Sequence, residues 1–133
     1  MYLVDTCIIS EARRGSKPAA AWLRSVNPSS IFLSAMTLGE LMREIATSRK
    51  ADPIAATEFE EWLKTLQTDH ADQILPITVA ITMEWGRNSA RSARGDAAGL
   101  IAATAIVHDL ILVTRDAADF EDTRASTINP WDL

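Results

Sequence analysis

Cysteine is almost missing from this chain. Cys7 is the only one in 133 residues, so no internal disulfide can form, and a reducing cytoplasm is the natural setting. With two histidines beside it, there is no Cys/His cluster, which argues against a structural zinc. No apolar run approaches the roughly 20 residues that a membrane helix requires. The opening MYLVD places an acid where a secretory signal needs positive charge, so no membrane contact is expected. Positive charge is scarce too: 13 Lys and Arg against 18 Asp and Glu leave a net charge of −5. That excludes the global basic footprint of a nucleic-acid binder, so any contact with phosphate has to come from a local patch or a bound cation. Repeats, low-complexity segments and linkers are absent as well. A chain of this length, 47% hydrophobic and 23% charged, fits a single globular domain over residues 1–133 with a sizeable core.

What is present is an alternation of short apolar runs with longer helical patterns. YLV (2–4) is a strand candidate, followed by the helix-like TCIISEARR and a stop at Gly15. A helix over 18–25 ends before Asn27-Pro28, and SIFLSA (30–35) reads as a strand. Thr37 is expected to open the helix TLGELMREIATSR, and Asp52-Pro53 starts another, a cap residue followed by proline at the first helical position. QILPI (73–77) predicts a short strand, Thr78 a cap for the helix VAITMEWGRNSARSA, and GLIAATAIVHD a helix leading into the strand LILVT (110–114). STINPW supplies a last short strand. This order implies a mostly parallel sheet with helices on both faces, an α/β/α architecture. Strand order is not legible.

Three acids fall at the carboxyl ends of these strands, where open α/β sheets bind ligands. Asp5 directly follows YLV, Glu40 lies just after SIFLSA, and Asp116 follows LILVT by one residue. Acids converging on one edge repel each other unless a cation holds them. Oxygen-only ligands point to Mg²⁺ or Mn²⁺, ions that activate water and stabilise charge on a phosphoryl group. Each acid also has a plainer reading. Asp5 suits a helix N-cap, TLGE is the pattern of a capping box, and Asp116 suits a turn. Joint placement on one sheet edge favours the functional reading.

LVDTCIISE at 3–11, GEL at 39–41, LIAATA at 100–105, LVTRD at 112–116 and NPW at 129–131 together resemble the PIN-domain ribonucleases. The likeness is to the VapC-type toxins of bacterial toxin–antitoxin pairs, in their FitB-like branch. Each motif is weak alone; five in the family's order across one short chain are specific. The resemblance implies a three-layer α/β/α fold, Mg²⁺-dependent cleavage of RNA with tRNA as a family-level substrate, homodimers, and a VapB-type antitoxin that can join a complex on operator DNA. It also implies that Asp5 and Glu40 are metal ligands, and that Asp116 acts through water or a second ion with Asp119 as its nearby substitute. Thr6 and Thr114 would orient these carboxylates.

One expected ligand is missing. The family pattern is an acid, a small residue, then LIAA, which places the third aspartate at position 98, where this chain has Ala98. Asp96 lies two residues earlier, about 200° away around a helix, and is better explained as the N-cap after Gly95 than as a substitute ligand. Losing one carboxylate of three or four should impair Mg²⁺ binding and catalysis while sparing the fold. The otherwise intact acid cluster points to a knocked-out nuclease. At Cys7 the family often has asparagine, and a small core residue is the expected role of the thiol.

Arg87, Arg91 and Arg94, at spacings of four and three, are expected to share a helix face and to contact the RNA backbone. Arg13, Arg14 and Lys17 form a second, weaker basic patch. The four tryptophans suit cores or interfaces, and neither His70 nor His108 is assigned a catalytic role. The apolar early helices offer surface for a dimer or a partner helix. An alternative function is a non-catalytic protein that acts through complex formation with an antitoxin and promoter DNA. A phosphoacceptor domain on a similar sheet fits poorly: Asp5 has no acid within two residues, and LVTRD carries Arg115 where lysine is required.

Overall fold

Each central strand presents its side chains to two different interiors. In the computed structural model, which describes residues 1–90 and 94–133, strand β1 (Tyr2–Val4) sends Leu3 into one core and Val4 into the other. Strand β4 (Ile111–Val113) divides Leu112 and Val113 in the same way. Strand β2 (Ile31–Ser34) places Ile31 and Leu33 on one face and Phe32 on the other. This is the period of two along a strand, with both faces buried as parallel sheets require. Leu3, Leu33 and Leu112 are fully buried, and burying each such side chain contributes about 1.5–3 kcal/mol.

The described residues contain five strands and six α-helices. With β3 (Ile74–Leu75) and β5 (Thr127–Ile128), the strands form one parallel sheet in the order β3-β2-β1-β4-β5. One core packs α1 (Thr6–Arg13), α2 (Lys17–Ser25), α3 (Ala35–Ser48) and α4 (Pro53–Asp69) through Ile8, Trp22, Leu41, Ile45 and Phe59. The other packs α6 (Asp96–Val107) through Ile101, Ala102 and Ala105, with Leu110 and Phe120 beside it, and α5 (Val79–Ser89) lies against α6. The three-layer α/β/α arrangement matches the expectation. The apolar faces of α1 and α2 are largely spent on the first core, with Ile8, Ile9, Ala19 and Trp22 buried. The chain runs outward from β1 through β2 to β3, then returns to β4 on the other side of β1. The direction of winding therefore reverses between β1 and β4, the place where such sheets open a crevice.

Local departures from expectation have local causes. Strand β3 covers only two of the five expected residues. Pro76 cannot donate to a ladder, and the Gln73 side chain instead donates to the carbonyls of Pro28 and Ile31 at 2.7 and 2.6 Å. The cap of helix α3 lies three residues before Thr37: Ser34 caps it, accepting from the Met36 amide at 3.0 Å. Thr37 is fully buried inside the helix, so TLGE is not a capping box. Gly95, not Asp96, is the N-cap of α6. The expected caps Asp52 and Thr78 do accept from the amides of Ala55 and Ile81. Asp109 turns the chain from α6 to β4 at φ +54°, a backbone that aspartate tolerates better than most. No helix among the described residues is long and apolar enough to cross a membrane.

Helix α6 is apolar all round, as a buried helix must be, and its glycine lets α5 approach closely. A Cβ on Gly99 would lie 2.8 Å from Trp85 Cδ1 and 3.0 Å from Nε1, whereas Gly39 and Gly86 have open space at that position. Gly99→Ala should therefore lower unfolding free energy by about 1–3 kcal/mol through overpacking. Gly39→Ala should raise it by up to about 1 kcal/mol through helix propensity. Urea denaturation of the two variants against the parent checks the opposite signs. Equal stabilisation by both would mean that the α5–α6 contact yields freely.

Candidate functional site

The end of β1 and the end of β4 are tied together by backbone and side chain alike. The Asp5 amide donates to the Val113 carbonyl at 2.9 Å. The Thr114 hydroxyl donates to Asp5 Oδ2 at 2.7 Å. The other carboxylate oxygen, Oδ1, accepts from the Thr6 amide at 2.8 Å, so Asp5 is both the N-cap of α1 and a wall of the crevice. Thr114 is fully buried and also accepts from the Asp116 amide at 3.2 Å, which sets the path of the chain just past β4.

A parallel link joins α1 to α3. The Thr6 hydroxyl donates to Glu40 Oε1 at 2.6 Å and lies 3.1 Å from the hydroxyl of Thr37. Asp5, Thr6, Glu40, Ala98 and Asp116 thus line one cleft of about 380 Å³, together with Cys7, Ser10, Glu11, Arg14 and Glu44. Ser10, Glu11 and Glu44 were not singled out in the sequence, and Arg14 was read there only as part of the weaker basic patch. Their signal was helical spacing: Ser10, Glu11 and Arg14 follow Cys7 at three, four and seven residues, and Glu44 follows Glu40 at four.

Several expected residues stand elsewhere. Asp96 and Asp119 are exposed and line no part of this cleft. The Asp119 carbonyl accepts from Arg94 instead. Arg94 lies beyond the end of α5, its side chain is 5% exposed, and its guanidinium pairs with Asp122 beside the ring of Phe120. Arg87 is exposed and sits 3.6 Å from Glu84, and Arg91 lies outside the described residues. Arg94 does not share a helix face with Arg87, because α5 ends at Ser89. Cys7 does more than fill the core: its thiol donates to Asp5 Oδ2 at 3.6 Å.

The donor set is carboxylate oxygen, the chemistry of hard divalent cations. Its number falls short, because among the described residues no three acidic, histidine or cysteine side chains are gathered closely enough to hold a metal ion. The residues present therefore do not fit a resident ion. What they create is strained charge. Burial raises the Asp5 carboxyl above the ordinary aspartate value, the hydrogen bonds from Thr114, Thr6 and Cys7 oppose that rise, and the charge of Asp116 adds to it. Burial and the neighbouring Asp5 push the Cys7 thiol up to about 11, so at neutral pH it stays protonated and able to donate.

A raised carboxylate pKa means that, just above the unfolded value, the native state binds more protons than the unfolded chain, so stability falls as pH rises through that window. The ionised Asp5 is then a net cost at neutral pH. Asp5→Asn, which keeps the helix cap, should be more stable than the parent at pH 7, and its advantage should shrink as pH falls towards the ordinary value of 3.8. Thermal melts of both chains across that range provide the check, and an advantage that does not vary with pH would remove the electrostatic explanation.

Known proteins resemble this chain along nearly its whole length. The PIN domain model matches residues 2–125. The chain is 31% identical to VapC ribonuclease Y4jK of Sinorhizobium fredii, an alignment covering 99% of each. It is 31% identical to Toxin FitB of Neisseria gonorrhoeae over 98% of this chain and 99% of that one. The crystal structure of FitAcB from Neisseria gonorrhoeae superposes with a TM-score of 0.91 at 30% identity, with all of both chains covered. A family match over most of its length, joined to relatives that align end to end, makes this chain a member of the PIN-domain family.

Proposed function

We propose that this chain is a ribonuclease toxin of a VapBC-type toxin–antitoxin pair, built to use Mg²⁺ or Mn²⁺ and disarmed by Ala98. One observation carries the reading. The strand-end acids Asp5, Glu40 and Asp116 border one cleft at the β1/β4 reversal, and α6 turns position 98, not Asp96, into that same cleft. In this reading Asp5, Glu40 and Asp116 are ligands lacking a partner, and Thr6 and Thr114 hold two of them in orientation. An ion held there would supply an activated water and neutralise charge on a phosphodiester. A methyl group at position 98 leaves the oxygen count too low to retain it.

The relatives named ribonuclease and toxin support RNA as substrate and a VapB-type antitoxin as partner. An acidic cleft would also accept an arginine from such an inhibitor, mimicking the absent cation. A homodimer has an apolar surface to use: Val79 and Met83, one turn apart on α5, are 79% and 60% exposed.

Ala98→Asp should bind Mn²⁺ in a calorimetric titration where the parent does not. It should also cleave a tRNA mixture more than about a hundredfold faster, only with metal present, since even residues behind the ligands are worth 10–100-fold. Cleavage by the parent at the variant's rate would transfer the third-ligand role to Asp96. Absence of both metal binding and cleavage in the variant would favour the non-catalytic protein that acts through antitoxin and promoter DNA.

A further inference from the structure

We propose that Arg14 is the side chain that receives a substrate phosphate at the mouth of the acidic cleft, held ready there by Glu44. The inference rests on the nuclease reading and adds the cation that this reading lacks. Among the described residues, the cleft is lined by five carboxylates, those of Asp5, Glu11, Glu40, Glu44 and Asp116, and by one cationic side chain, Arg14. A polyanion entering such a cleft meets repulsion on every side but that one. Of the arginines expected to do this work, Arg87 sits beside Glu84, Arg94 pairs with Asp122 and neither lines the cleft, while Arg91 lies outside the described residues. Arg115, although next to Asp116, lies over the ring of Trp131 at 4.6 Å. Arg13 lies over Phe59 at 3.7 Å.

The placement of Arg14 follows from the helices. It caps the C-terminus of α1, on the same face as Cys7, seven residues before it. Gly15, at φ +90°, turns the chain away and leaves the guanidinium over the cleft. There it donates to Glu44 Oε1 at 2.6 Å and lies 3.7 Å from Glu11. Glu44 stands one turn beyond Glu40, so a single face of α3 carries both an acid of the site and the clamp on its cation. Half of the Arg14 side chain is exposed, and Glu44 is 38% exposed. An exposed ion pair of this kind is weakly held. Of the five N–H donors of the guanidinium, one is engaged by Glu44, and the planar fork suits a phosphate with those that remain.

The parent chain, which keeps Ala98, permits the test without cleavage. A labelled single-stranded RNA is titrated in EDTA across a range of NaCl concentrations, with binding read by fluorescence anisotropy. Arg14→Ala should weaken binding roughly three- to tenfold and reduce the slope of log affinity against log salt by about 0.7, the share of one phosphate contact to a single strand. Arg14→Lys should keep the slope and lose part of the affinity. Glu44→Gln should strengthen binding, and that gain should vanish in the double variant with Arg14→Ala. Arg49→Ala, which breaks an ion pair with Glu60 away from the cleft, should change nothing. An unchanged affinity in Arg14→Ala overturns the assignment and leaves the nuclease reading intact. A Glu44→Gln gain that survives without Arg14 overturns it too, since charge alone would then account for the effect. If the parent binds no RNA, the assignment falls, and cleavage by Ala98→Asp decides the nuclease reading separately.

Discussion

The site depends on one hydrogen bond between neighbouring parallel strands, from the Thr114 hydroxyl to Asp5. Residues at the ends of β1 and β4 are far apart in sequence, and the strands meet only because the chain winds outward and then returns to the far side of β1. The register pairing Val4 with Val113 brings the next residue on each strand, Asp5 and Thr114, to the same level at the carboxyl edge. A buried hydroxyl there serves two neighbours, donating to the acid and accepting from the amide of Asp116. Any slip of that register would remove Asp5's main side-chain donor and move Asp116 away from the cleft.

Charge explains why this edge tolerates alanine at position 98. Asp5 is already held above the ordinary aspartate value by burial, with Asp116 adding repulsion. A further carboxylate from α6 would raise the electrostatic cost of the empty cleft and repay it only when a cation is bound. The methyl of Ala98 instead packs against the core formed around Leu3 and Ile101. Fold and proposed function therefore make opposite demands at this position. Without metal the structure gains from alanine, whereas the proposed chemistry needs the acid. Hydroxyls reconcile these demands elsewhere in the cleft, since Thr6 and Thr114 stabilise carboxylates without cancelling their charge.

Much of this was legible because it is local. Short β-branched runs followed by helical periods announce an α/β sheet, and Asp5 and Asp116 could be placed on its edge by counting along the chain. Strand order was not legible, because it depends on which distant strands pair. Arg94 fell away from the face of Arg87 for a different reason. A spacing of four and three continues past Ser89 in the sequence, while the helix does not. Periodicity shows where a helix would be amphipathic; it does not show where it stops.

Glu40 shows how one misplaced boundary changes a residue's meaning. Had α3 begun at Thr37, Glu40 would be the third residue of its first turn, and its carboxylate would bend back to satisfy a backbone amide. Ser34 competes for the same cap and prevails because it lies at the end of β2, where the chain must turn directly from strand to helix. Thr37 is then drawn inside, against the hydroxyl of Thr6, and Glu40 is freed to accept from Thr6. Two interchangeable capping residues three positions apart thus lead to different outcomes. One would leave a stable helix with no acid to spare, and the other directs that acid into the cleft. The choice is made by the length of β2, which is set by its pairing with β1 and β3 and not by anything within the helix.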